Sequence, residues 1–377
     1  MSTLHIKQLP REIALSYAAR TNLLLTSKPG LGKSETVCAA AKTMGERVEG
    51  FGYWPFDIST ANPNDVCAYM PDLKTGELAV YPNSVLPNAY RKPDAQGIVF
   101  FDEVLNGDPS TVKVFQKYVN GEDISGKLRK PEGVIVVAAS NRMADKAGVM
   151  QQSRAFMSRV EQLEIYSDAA HNLSFMDNDG FWPVMRKFLE KFPDLIDNYE
   201  TVFDPGNDAR AKQLSKDDKA EQGEEGKRDV WANMRSWKRI SKLEYAAQSL
   251  KIPMQPCRVL SSVGKAVGTQ YVTYRAMFDK IASVDEILRD PKGVAIPSKM
   301  DELFVMVCML SQLIKSTDMK AAATFVDRLQ GDMRALAIRR MVKRSQKNRA
   351  EFDIGGSKEY QTWMKDPAIQ DLFMAAR

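Results

Sequence analysis

The stretch Leu23-Leu-Leu-Thr-Ser-Lys-Pro-Gly-Leu-Gly-Lys-Ser-Glu-Thr-Val-Cys-Ala-Ala-Ala41 decides the fold of the first half of this chain. An apolar run breaks into a glycine-bearing turn, and the turn opens into a small-residue pattern of helical period. A strand that ends this way aims several backbone N–H groups at one point, and the helix dipole adds positive charge there. The turn fits the phosphate-loop pattern G-x-x-x-x-G-K-[ST] except at its first position, where Ser27 stands in place of glycine. Serine is small, and Gly30 and Gly32 keep the freedom that a close backbone approach needs. Pro29, Gly30, Leu31, Gly32, Lys33, Ser34 and Glu35 are therefore the candidate nucleotide-binding residues, with Lys33 reaching the β- and γ-phosphates and Ser34 a ligand for Mg²⁺.

Outward from the loop, short apolar runs alternate with helical segments. The expected strands are 22–27, 55–59, 97–103, 133–140 and 160–165, and their near-continuous apolar character suits a parallel sheet buried on both faces. The helix after the loop sets Val37, Ala40, Ala41, Met44 and Val48 on one face. The expected class is α/β. Beyond residue 166 the strand pattern stops and the chain reads as helices. Residues 207–229 carry charges of both signs and almost no large apolar side chain, which predicts an exposed loop.

Three further positions bear on chemistry. The run Gly97-Ile-Val-Phe-Phe-Asp102-Glu103 ends in two carboxylates: Asp102 suits a metal and Glu103 suits polarisation of an attacking water. The paired acids favour hydrolysis over transfer to a substrate hydroxyl. The run Val134-Ile-Val-Val-Ala-Ala-Ser-Asn141 ends in an amide that could orient water, although an Asn closing a strand also serves as a turn residue. Arg159 precedes the last expected strand and reads either as a surface charge or as an arginine finger.

The order Lys33-Ser34, Asp102-Glu103, Asn141, Arg159 resembles AAA+ ATPases, and within them the MoxR-like branch. Residues 62–90 and 100–142 are similar to that family's segments around the acidic strand. Asn233-Met-Arg-Ser-Trp-Lys-Arg-Ile-Ser-Lys-Leu243 is similar to its lid motif, with Met234 where proline is usual and Arg235 and Trp237 in place. The likeness runs to Pro291. It implies a nucleotide-binding core over 1–166, a helical lid over 167–291 and a helical extension over 292–377. It implies ATP and Mg²⁺ as cofactors, with Ser34 and Asp102 on the metal, Glu103 activating water and Asn141 as first sensor. It also implies Arg235 as second sensor and Arg159 acting on the neighbouring subunit's nucleotide, with Arg154 a rival for that role. Trp237 is expected to pack in the lid. The family works as a ring, most often a hexamer, on a protein partner, often one with a von Willebrand factor A domain.

Composition sets the limits. Apolar residues are 44%, charged residues 27%, and the net charge of +5 is small for 377 residues, so charge alone does not argue for nucleic acid. Cys38, Cys67, Cys257 and Cys308 are far apart and do not predict a disulfide framework or a zinc site. The two histidines, His5 and His171, leave carboxylates, Lys, Arg and the backbone to carry the chemistry. No apolar run is long enough to span a bilayer and no leader pattern opens the chain, so a cytoplasmic location is expected. One segment supports a different class of function, a nucleic-acid motor or loader. Arg334–Arg349 holds seven basic residues and no acidic one, reading either as a phosphate-tracking stripe or as a solvated or partner-binding face.

Overall fold

The computed structural model describes residues 3–142, 157–202, 230–278, 281–367 and 369. They belong to two compact units, Met1–His171 and Asn172–Arg377. The first unit is built on a parallel sheet of six strands: β1 (Thr3–His5), β2 (Leu23–Ser27), β3 (Phe51–Asp57), β6 (Gln96–Asp102), β7 (Val134–Asn141) and β8 (Glu161–Tyr166), in the spatial order β1-β8-β2-β7-β6-β3. A separate antiparallel hairpin pairs β4 (Cys67–Pro71) with β5 (Leu78–Pro82).

Side-chain alternation explains why the sheet is covered on both faces. Leu24, Val99, Phe101, Val136 and Ala138 point to one face and pack with Val112, Phe115 and Val119 of α3 (Pro109–Val119). Leu23, Leu25, Ile98, Phe100, Ile135, Val137 and Ala139 point to the other. They pack with Ile13 of α1 (Leu9–Ala19) and with Val37, Ala40 and Ala41 of α2 (Lys33–Gly45). All eight residues of β7 are buried, as expected of a strand inside the sheet.

The second unit is helical among its described residues. It takes in most of α4 (Ala169–Asp179), then α5 (Met234–Leu250), α6 (Met300–Leu313) and α7 (Gly331–Lys347), with shorter helices between. Trp237 of α5 is fully buried and its Nε1 donates to the Leu195 carbonyl at 2.9 Å, so it packs as expected. Met306, Val307 and Leu310 of α6, Ile338 and Met341 of α7, and Phe325 of the short helix between them share one core. No described helix is long and apolar enough to cross a membrane.

An α/β core with a parallel sheet, followed by helices, is the class read from the sequence. The expected strand 55–59 is corrected to β3 at Phe51–Asp57. Pro55 argues against a strand interior, but β3 pairs only with β6, and an edge strand tolerates a missing N–H. The hairpin and β1 were not expected. β1 is three residues long, and the hairpin is solvent-facing, leaving Leu73 97%, Leu78 70%, and Tyr69 and Met70 each 56% exposed.

Candidate functional site

Parallel strands share a direction, so their carboxyl ends lie along one edge of the sheet. β2, β7 and β6 are adjacent there, and the register sets Ser27 beside Asn141. The loop leaves β2 and enters α2 with Gly30 at φ 81° and Gly32 at φ 92°, conformations that glycine adopts without steric cost. Gly32 is the residue before α2, and Lys33 opens the helix.

Ser27 is fully buried and its hydroxyl has two jobs. It donates to the Lys28 carbonyl and accepts from Lys33 Nζ, both at 2.8 Å. The departure from the glycine pattern thus supplies an oxygen to a lysine that is itself only 7% exposed. One helical residue on, Ser34 Oγ donates to Asp102 Oδ2 at 2.7 Å. A hydroxyl and a carboxylate meeting at one point are hard oxygen donors of the kind Mg²⁺ takes, with water and phosphate completing the shell.

Glu103 follows β6 in the left-handed region, φ 52° and ψ 37°, which turns the chain sharply. Two amides grip its carboxylate. Asn106 Nδ2 donates to Oε2 at 2.6 Å, and Asn141 Nδ2 donates to Oε2 at 3.2 Å and to Oε1 at 3.4 Å. Burial pushes the Glu103 carboxyl above the usual carboxylate range, and the charges of Asp102 and Asp57 add to this. Lys33 and the Asn141 hydrogen bond pull the other way. Asp57 was missed in the sequence. It ends β3 in register with Asp102, and its Oδ1 accepts from the Ser59 N–H at 2.9 Å and the Ser59 hydroxyl at 2.7 Å. Its signal, an acid closing the strand beside the acidic strand, becomes visible once β3 is read as 51–57. Asn106 carries no comparable signal. Together these groups can receive a phosphate chain, hold a divalent cation and present a carboxylate that accepts a proton.

Arg159 lies elsewhere. It is exposed and precedes β8, whose first residue, Glu161, pairs with Leu23 at the start of β2. The loop lies beyond Ser27, four residues further along β2, or about 13 Å away at ~3.3 Å per residue. Arg159 is thus near the opposite edge of the sheet from its own loop. Arg154 and the charged stretch 207–229 fall outside the described residues. Arg235 is exposed in the first turn of α5, within the second unit.

The basic stretch of α7 is tied into its own unit. Arg340 Nη1 meets Asp177 Oδ1 at 3.1 Å. Arg344 Nη1 donates to the carbonyls of Ser311 and Ile314 at 3.1 and 2.9 Å and its guanidinium covers Phe352. Lys347 donates to the Asn178 carbonyl at 3.0 Å, Lys343 to the Asn178 side chain, and Arg334 pairs with Asp327 and Asp366. Arg344 and Lys347 thus cap the negative carbonyl ends of α6 and α4; Arg339, Lys343, Lys347 and Arg349 are exposed. Arg340→Ala should accordingly lower the stability of the second unit by about 2 kcal/mol, because its loss takes a charge-assisted bond from Asp177. Thermal unfolding checks this, and no drop in midpoint would argue that the pair is idle.

No protein-family model matches the chain, and no curated protein matches it. Solved structures do. A candidate ATPase of Cytophaga hutchinsonii aligns at 17% identity over 46% of this chain and 50% of its own, with TM-score 0.34. Hsp104, in a closed-state reconstruction with ATPγS and FITC-casein, aligns at 16% over 46% of this chain and 38% of its own, TM-score 0.35. A RuvB variant of Thermotoga maritima aligns at 10% over 73% and 70%, TM-score 0.36. The chain thus spans half or less of the first two. The first unit is an α/β fold on a parallel sheet, as its own strand order shows. Likenesses of this size transfer no activity and no residue role, which rest on the geometry above.

Proposed function

We propose that this chain is an AAA+ ATPase that hydrolyses ATP with Mg²⁺, works as a ring and remodels a protein partner, in the manner of the MoxR-like branch. The observation that carries the ATPase reading is the meeting of Lys33, Ser34, Asp102, Glu103 and Asn141 along one sheet edge, with Ser34 and Asp102 in contact at 2.7 Å. In this reading the loop amides and Lys33 bind the β- and γ-phosphates, and Ser34 and Asp102 hold the metal, which shields the phosphate charge. Glu103 takes the proton of the attacking water, with Asn141 holding the carboxylate and aligning the water. Lys33→Ala should abolish most ATP binding, since the γ-phosphate loses its main cation. Titration with a fluorescent ATP analogue checks this; unchanged affinity would refute the loop's role.

The ring reading draws support from Arg159. An arginine at the far edge of its own sheet is out of reach of its own nucleotide, whereas a neighbouring subunit can receive it. Arg235 is the lid's sensor in this scheme, within a lid over 167–291 that precedes an extension over 292–377. The ring is most often a hexamer in the resembling family, and the partner there often carries a von Willebrand factor A domain. Protein remodelling is favoured over nucleic-acid translocation because Arg334, Arg340, Lys343, Arg344 and Lys347 are engaged within their own unit. Turnover measured with DNA, RNA or a candidate protein partner over a salt series separates the two. The protein retained by a Glu103→Gln variant in ATP identifies the partner.

A further inference from the structure

Asn106 makes a side-chain bond whose energetics are lopsided. Its Nδ2 donates to Glu103 Oε2 at 2.6 Å, while its Oδ1 is buried and has no hydrogen-bond partner among the described residues. An unmet buried acceptor carries a desolvation cost, so the bond to Glu103 is kept at the expense of the other end of the amide. Flipping the amide would set Oδ1 against a carboxylate, so the charge of Glu103 alone fixes which way it faces.

The carboxylate shows the other half of the arrangement. Oε2 accepts from both Asn106 and Asn141, whereas Oε1 has only the longer Asn141 contact at 3.4 Å. One oxygen is clamped and the other keeps lone-pair capacity. We propose that Asn106 is a positioning residue for hydrolysis: by clamping Oε2 it fixes the rotation of the Glu103 carboxylate and leaves Oε1 as the oxygen that receives the proton of the attacking water. This rests on Glu103 being the base.

The test compares N106L, close in size with no donor, with E103Q and the double variant E103Q/N106L. Steady-state kcat and KM for ATP are measured together with ATP affinity and thermal midpoint. In N106L, kcat should fall about tenfold with ATP affinity and midpoint unchanged. Because Asn106 acts through Glu103, adding N106L to E103Q should cost no further turnover. Unchanged kcat in N106L overturns the proposal, and so does a fall in kcat matched by a fall in affinity or midpoint. E103Q separates the two levels: full turnover there removes the base itself, while a further loss of about tenfold in the double variant relative to E103Q removes only the clamp.

Discussion

Arg159→Ala is expected to bind ATP within a few-fold of the native protein and to hydrolyse it ~10³–10⁵ more slowly, the range associated with an arginine finger. The expectation follows from where Arg159 stands. β8 begins at Glu161 opposite Leu23, so Arg159 sits at the amino end of the sheet strands while the phosphate loop sits at their carboxyl end. In the proposed ring, a guanidinium there would contribute little to its own nucleotide's ground-state binding, and its loss would be felt at a junction between subunits. Mixing Arg159→Ala with Glu103→Gln provides the decisive measurement. Some junctions then pair an intact Glu103 with an intact arginine, and those junctions should recover turnover that neither variant has alone. Repeating the mixture with Arg154→Ala tells which arginine is shared. Normal turnover by Arg159→Ala alone would mean a solitary P-loop ATPase.

Glu103→Gln should bind ATP and lose ~10²–10⁴ in turnover, the usual contribution of a positioned general base. The amide keeps the size of the side chain but cannot take the water's proton. The same carboxyl sets a pH dependence in the native protein. Burial holds it above the ordinary carboxylate range, and the protonated form is no base. Turnover should therefore be full above that raised value and fall as the pH drops through it. Asp57→Asn should shift the fall to lower pH, because a neighbouring negative charge that favours protonation is removed. ATPase rates at saturating ATP across the acid range check both statements, and a limb at the ordinary carboxylate value would contradict them.

The position of the glycine-bearing loop, the paired acids and the strand ending in Asn141 at one sheet edge was legible because each is a run of apolar residues closed by a particular polar group. That pattern is local, and the parallel sheet brings the three ends together without further information. What was not legible depends on register or on a single contact. Asp57 matters because β3 pairs with β6 in a register that aligns it with Asp102, and Pro55 obscured where β3 begins. Asn106 reaches the Glu103 carboxylate because the left-handed turn at Glu103 folds the chain three residues back over it. Ser27 read as a tolerated substitute for glycine, and only the geometry reveals that its hydroxyl meets the Lys33 ammonium. The basic run of α7 read as a possible stripe for phosphates because its partners, Asp177 and the carbonyl ends of α4 and α6, are remote in sequence.

The left-handed backbone at Glu103 bears on how such a chain would change over generations. A residue with a Cβ at φ 52° gives up roughly 1 kcal/mol that glycine would not, and a buried carboxyl adds to the burden. Folding by itself favours Gly at this position. In a lineage released from the need to turn over nucleotide, position 103 is where drift should run downhill, toward a more stable and silent descendant. On the proposed function, a glutamate kept there is a standing burden on the fold that use of the site sustains.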